Sequence, residues 1–500
     1  MADGKISPTG GIILLGLGPG SPGALTREAW EWLEGIETLY LRTEQHPVVS
    51  HLPQELSLQS FDSVYEDADS FDAVYDAIIK TVLELGKSPE GVTYAVPGHP
   101  FVAEATCPEI ARRGEAEGIP VRVIGGMSFL DPTFQALEID PFPDLVLADA
   151  ITLSTAQTPG FSPSTPALIA QIYSRMVASE VKLTLMAAYP DAHPVRLVHG
   201  AGTVEVLVEE VPLYAVDQSP HLGLLSSLFV PPLSSTASFE SFQEIIARLR
   251  APDGCPWDRE QTHSSLRPFL LEEAYETLDA LDREDQEDLQ EELGDLLLQI
   301  VLHAQIATER GDFNIHDVLE GIGTKLIRRH PHVFSEVEVN GVSGVIRNWE
   351  AIKAAERKEN GISEKKGLLV GVPQALPALS QAQAVIERVD RVGFAALAQL
   401  GSVQAVRDLL AEFSEAPSDG RKACLGRLFL SLASLAWQQD LDAESALRET
   451  LSRFRRQFGA MEALAANRGQ ALVDLSDQEK TDLWDQAGVI FGQSGTVEVD

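Results

Sequence analysis

A chain of 500 residues exceeds what one hydrophobic core ordinarily organises, so several domains are expected. Its 75 acidic residues against 38 basic ones leave a net charge of -37, which repels nucleic-acid phosphates and anionic membranes but not a small anion met by a local cation. Three scattered cysteines without a CxxC, and no apolar run near the roughly 18 residues of a membrane span, argue for a reducing cytoplasm and against a disulfide scaffold, a zinc site or an embedded chain.

Through residue 230 short β-branched runs alternate with helical patterns. GIILLGLG, GVTYAVPG, IPVRVIGG and VKLTLMAA read as strands, with helices such as SFDAVYDAIIKTVLELG between them. This alternation predicts an α/β domain with a largely parallel sheet. The first strand runs into GLGPGSPGALT (Gly16–Thr26), just before a helix. Glycines there let a backbone approach a ligand, and a helix N-terminus favours negative charge. No Walker lysine follows, and as a bare motif the stretch reads first as a plain strand-to-helix turn.

VPPLSSTASFES, near 230–241, reads as a linker, and from Phe242 the helical period dominates. The stretch LLEEAYETLDALDREDQEDLQEELGDLLLQI predicts a helical hairpin turning near Glu284. Glu272, Glu273 and Glu276 precede the turn, and Glu292 and Asp295 follow it at matching distances. At 1.5 Å per residue these levels lie roughly 12 and 17 Å from the turn on antiparallel helices. Spacings of three and four put the carboxylates on one face, with Leu278, Leu281, Leu289, Leu293 and Leu296 expected to pack beside them. Carboxylates about 6 Å apart repel by roughly 3 kcal/mol at an effective dielectric of 20, and oxygen-only ligands suit Mg²⁺ or Mn²⁺. The bland alternative is a solvated acidic hairpin. Asp279, Asp282, Glu284, Asp285, Glu287 and Asp288, crowded at the turn, need no ligand.

Next comes a basic island, KLIRRHPHVF. Lys325, Arg328 and Arg329 suit phosphate, although cations also favour a helix C-terminus before Pro331. In NWEAIK, Trp349 and Lys353 share a helix face as a base-stacking plate and a phosphate-seeking ammonium, or Trp349 is a core anchor. RKENGISEKKG (Arg357–Gly367) predicts a mobile loop, and the tail GQSGTVEVD disorder. Helical pattern returns from Pro373 to about Gly488, and CLGRLFLSLASLA echoes ELGDLLLQIVLHA. The echo marks a duplication in which Cys424 replaces Glu292 and Arg427 replaces Asp295; Asp408 survives opposite, beside Gln404 and Ala405. Such a repeat keeps a packing face and loses its metal ligands.

LRAPDGCPWDREQTHSSLRPFLLEEAYETLDAL, EELGDLLLQIVLHAQIA, KLIRRHPHVF and NWEAIKAAE, from about 239 to 359, closely resemble the MazG family of nucleoside triphosphate pyrophosphohydrolases. The resemblance implies an all-α, Mg²⁺-dependent, usually dimeric enzyme that converts NTP to NMP and pyrophosphate. It carries the metal-binding EExxE onto Glu272, Glu273 and Glu276, the first row of catalytic groups being Glu273 and Glu276, and ExxD onto Glu292 and Asp295. It implies nucleotide contacts from Trp257, Lys325, Arg328, Arg329, His330, Trp349 and Lys353. Residues 11–232 resemble the tetrapyrrole methylase family through the glycine-rich start, AVPGHPFVAEA, IGGMSFLD and LTLMAAYP. That resemblance implies S-adenosylmethionine contacts at Gly16, Gly18, Pro19, Gly20, Pro97, Gly98, His99, Pro100 and Ser128. His99 and Ser21 stand where many members carry Asp, so binding without methyl transfer is an open alternative. The expected architecture is therefore multidomain, a YabN-type pairing: an α/β methylase-like domain (11–232), an all-α MazG domain (239–359) and a degenerate second helical repeat (369–486). The competing reading is a methyltransferase with an accessory helical part; a nucleotide or S-adenosylmethionine sensor is a third.

Overall fold

The computed structural model describes residues 10–67, 71–335, 337–359, 368–417 and 420–494. They fall into two compact units, Met1–Gly254 and Cys255–Asp500.

The first unit holds two sheets. Strands β1 (Ile12–Gly16), β2 (Thr38–Leu41), β3 (Ser57–Ser60), β4 (Val92–Val96) and β5 (Val121–Ile124) lie in the order β3-β2-β4-β1-β5, every pair parallel. Alternation along β1 feeds both faces, as the period of two requires. Ile12 and Leu14 pack with Val82, Cys107 and Ile110, from helices Phe71–Gly86 and Thr106–Ala116. Leu15 packs oppositely with Ala29 and Leu33 of helix Arg27–Leu33. The second sheet, β6 (Val146–Asp149), β7 (Ala167–Ala170), β8 (Pro194–His199), β9 (Leu207–Pro212) and β10 (Ser226–Val230), has the order β6-β7-β10-β8-β9. Only β6 and β7 are parallel there, so the expected parallel sheet is half of the unit.

VKLTLMAA is not a strand but lies in and just beyond helix Arg175–Met186. Ser174 caps that helix, and Val177, Ala178, Val181, Thr184 and Leu185 are buried along one helical stripe. Helix Phe239–Arg250 belongs to the first unit, with Ser238 at its start bonded to Ser164 across 2.8 Å. The compact boundary thus lies at Gly254, beyond the linker expected from composition.

The second unit contains helices α1 (Arg267–Arg283), α2 (Gln286–Arg310), α3 (Ile315–Arg329), α4 (Gly341–Glu359), α5 (Ala378–Asp390), α6 (Val403–Glu415), α7 (Arg421–Gln438), α8 (Ala443–Asn467) and α9 (Asp477–Ser494). The α1–α2 turn falls at Glu284, left-handed at φ 55°, and Asp285 caps α2 by accepting from the backbone N–H groups of Glu287 and Asp288. Arg283 gathers Asp279, Asp285 and Asp288 of the turn, and Arg448 takes Asp282. Four of the six crowded turn acids thus meet arginines. Helix α4 extends through Arg357 to Glu359, and the rest of the expected loop, 360–367, lies outside the described residues. Of the expected disordered tail, 492–494 are helical, and 495–500 also lie outside the described residues.

Three of the five leucines expected to pack beside the carboxylates are exposed, and Leu289 and Leu296 are half-buried. Leu281 and Leu293 are 50% and 51% exposed, and Leu278 is exposed too. Small Thr277 and Ala280 fill the α1–α2 seam instead, letting the helices approach closely and turning the leucines outward. No described helix is long and apolar enough to cross a membrane.

Candidate metal centre and strand-end crevice

The hairpin register puts the acidic side chains where antiparallel helices bring equal heights together. Glu273 and Glu276 on α1 and Glu292 on α2 each place a carboxylate oxygen within 4.8 Å of the others. Glu273, Glu292 and Asp295 are half-buried; Glu272 and Glu276 are exposed. Burial raises the Glu273 carboxyl above its ordinary range, and Asp295, Glu276, Glu292 and Glu272 push it the same way. Glu292 is raised by burial and then by Glu276, Asp295, Glu291 and Asp288. Of five expected ligands, three converge and the other two act on them through their charge.

Hard oxygen donors at this spacing fit a small divalent cation. The three oxygens, drawn closer together, would hold one such ion, with waters or substrate phosphates filling its remaining positions. The mutual repulsion that raises both carboxyls is the electrostatic condition such an ion relieves.

The basic island is organised differently from its sequence expectation. Arg328 and Arg329 at the end of α3 both grip Glu356 of α4, each with an N···O distance of 2.6 Å. Arg329 first, and then Arg328, hold the Glu356 carboxyl down to about 2. Both guanidinium groups are thus partly neutralised within the chain. Lys325 is exposed. Lys353 lies 3.2 Å above the centre of the Trp349 ring, so these two meet each other. The His330 Nδ1 lies 2.8 Å from the Leu326 carbonyl, and half-exposed Trp257 packs edge-on to Phe269 at 6.1 Å. Glu356 was not legible as a partner; the signal available was its place one face along from Trp349 and Lys353 on α4.

The second repeat reproduces the hairpin without its ligands. Thr277 Oγ1 donates to the Glu292 carbonyl on the first hairpin at 3.5 Å. Cys424 Sγ donates to the Leu409 carbonyl on the α6–α7 hairpin at 3.4 Å, joining the same two positions shifted by 132 residues with donor and acceptor exchanged. Arg427, at the Asp295 position, pairs with Glu412, whereas Asp408 bonds Gln404 at 2.8 Å. Arg427 thus meets Glu412, one turn further along α6, rather than Asp408, the surviving carboxylate.

In the first unit, three loops meet at the carboxyl ends of β1, β4 and β5. Gly18 N donates to Gly98 O at 3.1 Å, and Gly98 N donates to Gly18 O at 2.8 Å. A Cβ on Gly16 would lie 2.5 Å from Gly126 N and 2.6 Å from Gly98 O, so only glycine permits this contact. Gly98 itself faces open space, since a Cβ there would meet nothing within 4 Å. Pro19 abuts Gly202. Thr26 caps helix Arg27–Leu33 and donates to Gly125 O at 3.1 Å. The chain leaves β1 toward β2 on one side and leaves β4 toward β5 on the other, with the following helices on opposite faces. The β1–β4 crevice is thus a topological switch point, where open α/β sheets bind ligands. Gly16 ends β1, and Gly18, Pro19, Gly20, Pro97, Gly98, His99 and Pro100 lie on the loops of this crevice. Ser128 is engaged in starting helix Leu130–Leu137, accepting from Leu130 N at 3.2 Å, and His99 Nδ1 accepts from Phe101 N at 3.1 Å. His46, which the sequence reading does not single out, lies buried beside this loop.

Comparison with known proteins matches residues 261–334 to the MazG nucleotide pyrophosphohydrolase domain and residues 11–217 to the Tetrapyrrole (Corrin/Porphyrin) Methylases. The chain is 41% identical over 488 residues to the uncharacterized protein YabN of Bacillus subtilis, covering 96% of this chain and 98% of that one. It is 40% identical over 252 residues to the nucleoside triphosphate pyrophosphohydrolase/pyrophosphatase MazG of Thermotoga maritima, covering 50% of this chain and 95% of that one. A nucleoside triphosphate pyrophosphohydrolase of Escherichia coli is 38% identical over 252 residues, covering 48% of this chain and 94% of that one. Matched almost end to end by these helical relatives over one half and by the YabN arrangement over its whole length, the chain belongs to the MazG family and carries an N-terminal methylase-like α/β domain.

Proposed function

We propose that the chain is a Mg²⁺-dependent nucleoside triphosphate pyrophosphohydrolase, converting NTP and water to NMP and pyrophosphate. The observation that carries this reading is the convergence of Glu273, Glu276 and Glu292 across the α1–α2 seam. When bound, Mg²⁺, or Mn²⁺ on the same oxygens, neutralises the carboxylates and draws charge from the substrate phosphates. Glu273, Glu276, Glu292 and Asp295 hold it, with Glu272 adding charge beside them. A carboxylate with a raised pKa, as on Glu273, is suited to orient the attacking water and take its proton. Lys325 meets phosphate directly, and Arg328 and Arg329 do so while sharing Glu356. Trp349 offers a face to the base as Lys353 swings to a phosphate, and Trp257 and His330 line the nucleotide. A panel of NTPs and dNTPs with Mg²⁺ tests this reading; release of orthophosphate alone refutes it.

The first unit, in this proposal, binds S-adenosylmethionine or its demethylated product at the β1–β4 crevice. Calorimetry on the full chain tests it, and no heat at millimolar ligand refutes it. The exposed leucines of α1 and α2 suit a second copy of the chain, giving a cytoplasmic homodimer that contacts neither nucleic acid nor membrane. Repeat 369–486 lacks a metal site, since Cys424, Arg427, Gln404 and Ala405 replace four of the five carboxylates, and it serves stability or assembly.

A further inference from the structure

Arg328 and Arg329 end α3 side by side, and neighbouring positions on a helix point about 100° apart. Two such guanidinium groups do not converge by themselves, and their like charges repel. One carboxylate from another helix collects both. Glu356 of α4, 8% exposed, accepts from Arg329 Nε at 3.2 Å on Oε1 and from Arg329 Nη2 at 2.6 Å on Oε2. Arg328 Nη2 lies 2.6 Å from the same Oε1. The fork fixes the plane of the Arg329 guanidinium as well as its place. Two guanidinium charges against one carboxylate still leave a net positive charge for an anion to meet.

Glu356 also shares a face of α4 with Trp349 and Lys353, since positions i, i+4 and i+7 line one side of a helix. At 1.5 Å per residue it stands roughly 4.5 Å from Lys353 and roughly 10 Å from Trp349 along the axis. Its grip on the end of α3 therefore sets the arginine pair and the Trp349–Lys353 pair at fixed heights relative to each other. A buried carboxylate stripped of its partners is strongly destabilising, so an incoming phosphate meets the arginines with Glu356 in place. The residue lies beyond the stretch 261–334 that matches the MazG domain.

We propose that Glu356 is a positioning residue of the pyrophosphohydrolase site. It holds Arg328 and Arg329 together, takes the Nε–Nη2 edge of Arg329, and leaves the Nη1 edge for the substrate phosphates, in register with the base plate at Trp349. It touches no reacting atom and acts through the arginines. The inference rests on the pyrophosphohydrolase reading and adds to it the group that aligns the phosphate clamp with the base.

The test is steady-state kinetics of the full chain with NTP and Mg²⁺, read as NMP formation, with pyrophosphate added as product inhibitor. The wild type, Glu356→Gln and Glu356→Asp are compared, beside a thermal melt of each. Glu356→Gln keeps the shape and one acceptor oxygen and removes the charge that orients the arginines. Its kcat should fall by about tenfold or more, because the clamp no longer matches the transition state, while KM does not rise. Pyrophosphate should inhibit it about tenfold more tightly, since one neutralising charge beside two cations is gone. Glu356→Asp keeps the charge on a shorter arm and should recover part of the kcat. A mere brace between α3 and α4 gives another pattern: a lower melting temperature, a higher KM and weaker pyrophosphate inhibition in Glu356→Gln, with kcat kept, and that result overturns the inference. Wild-type kcat and KM in a folded Glu356→Gln overturn it as well; where that variant does not fold, wild-type kcat in Glu356→Asp does so. These outcomes leave the pyrophosphohydrolase reading standing, whereas a wild type that forms no NMP and pyrophosphate overturns that reading and this inference with it.

Discussion

Replacing Glu276 by Gln removes one charge from the α1–α2 cluster and changes almost no volume. In the metal-free protein Glu273 and Glu276 place oxygens within 4.8 Å of each other. Their repulsion is about 3.5 kcal/mol at an effective dielectric of 20 and about 0.9 kcal/mol in water. Glu276 is exposed, so the lower figure governs, and the variant should be more stable without metal by about 1 kcal/mol. For a unit of this size that is a rise of about 2–4 °C in melting temperature. Saturating Mg²⁺ should stabilise the wild type by mass action and the variant much less, so the order of melting temperatures converges or reverses. Turnover should fall by at least about a hundredfold, the usual scale for losing one group that stabilises the transition state. Thermal melts with and without MgCl₂, beside a pyrophosphate assay, measure all three. A variant that is less stable without metal, responds to Mg²⁺ as the wild type does, or keeps its turnover refutes the reasoning.

Acidification supplies an independent check. Burial and neighbouring carboxylates raise Glu273 and Glu292 above 4.5, so the fold disfavours their ionised forms. That penalty is fully present above the raised values and is lost as pH falls toward the unfolded value of 4.5. Relative to Glu273→Gln, the metal-free wild type should therefore gain stability on acidification through this window, while its Mg²⁺ affinity falls; parallel stability curves for the two proteins contradict the cluster. In the second repeat, Arg427 and Glu412 are half exposed, so Arg427→Ala should leave the melting temperature nearly unchanged and pyrophosphate release intact. Lost activity in that variant, retained in Glu276→Gln, would relocate the active hairpin. In the first unit Glu104 is buried and binds Arg42 and Thr106, so Glu104→Leu alone should destabilise by about 3–5 kcal/mol in denaturant melts. The double change Arg42→Met with Glu104→Leu should recover much of that loss; a double variant no more stable than the single one contradicts the pairing.

Local periodicity and turn chemistry determined a good deal by themselves. The spacing of Glu273, Glu276 and Glu292 about Glu284 set the hairpin register, because rise per residue and helical period are properties of the backbone and a left-handed turn residue needs no distant partner. GLGPG marked a strand end because the close backbone contact at Gly16 demands glycine, and VPG did so because Gly98 sits at a φ of +70° that favours it. What tertiary structure decided was the choice among partners that local pattern leaves equal. VKLTLMAA satisfies both a strand and a helix, and burial against the second sheet selected the helix. Arg328 and Arg329 are cations awaiting an anion, and the packing of α4 against α3 supplied Glu356. Leu281 and Leu293 are apolar in any register, but Thr277 and Ala280 took the seam and left them outside. His46 reads as one residue of a polar loop; only the fold of β2 beside the Gly18 loop buries its ring. Side-chain direction is a short-range property that sequence carries, whereas the identity of the group at the other end of a contact depends on chain segments far apart, which only the folded structure brings together.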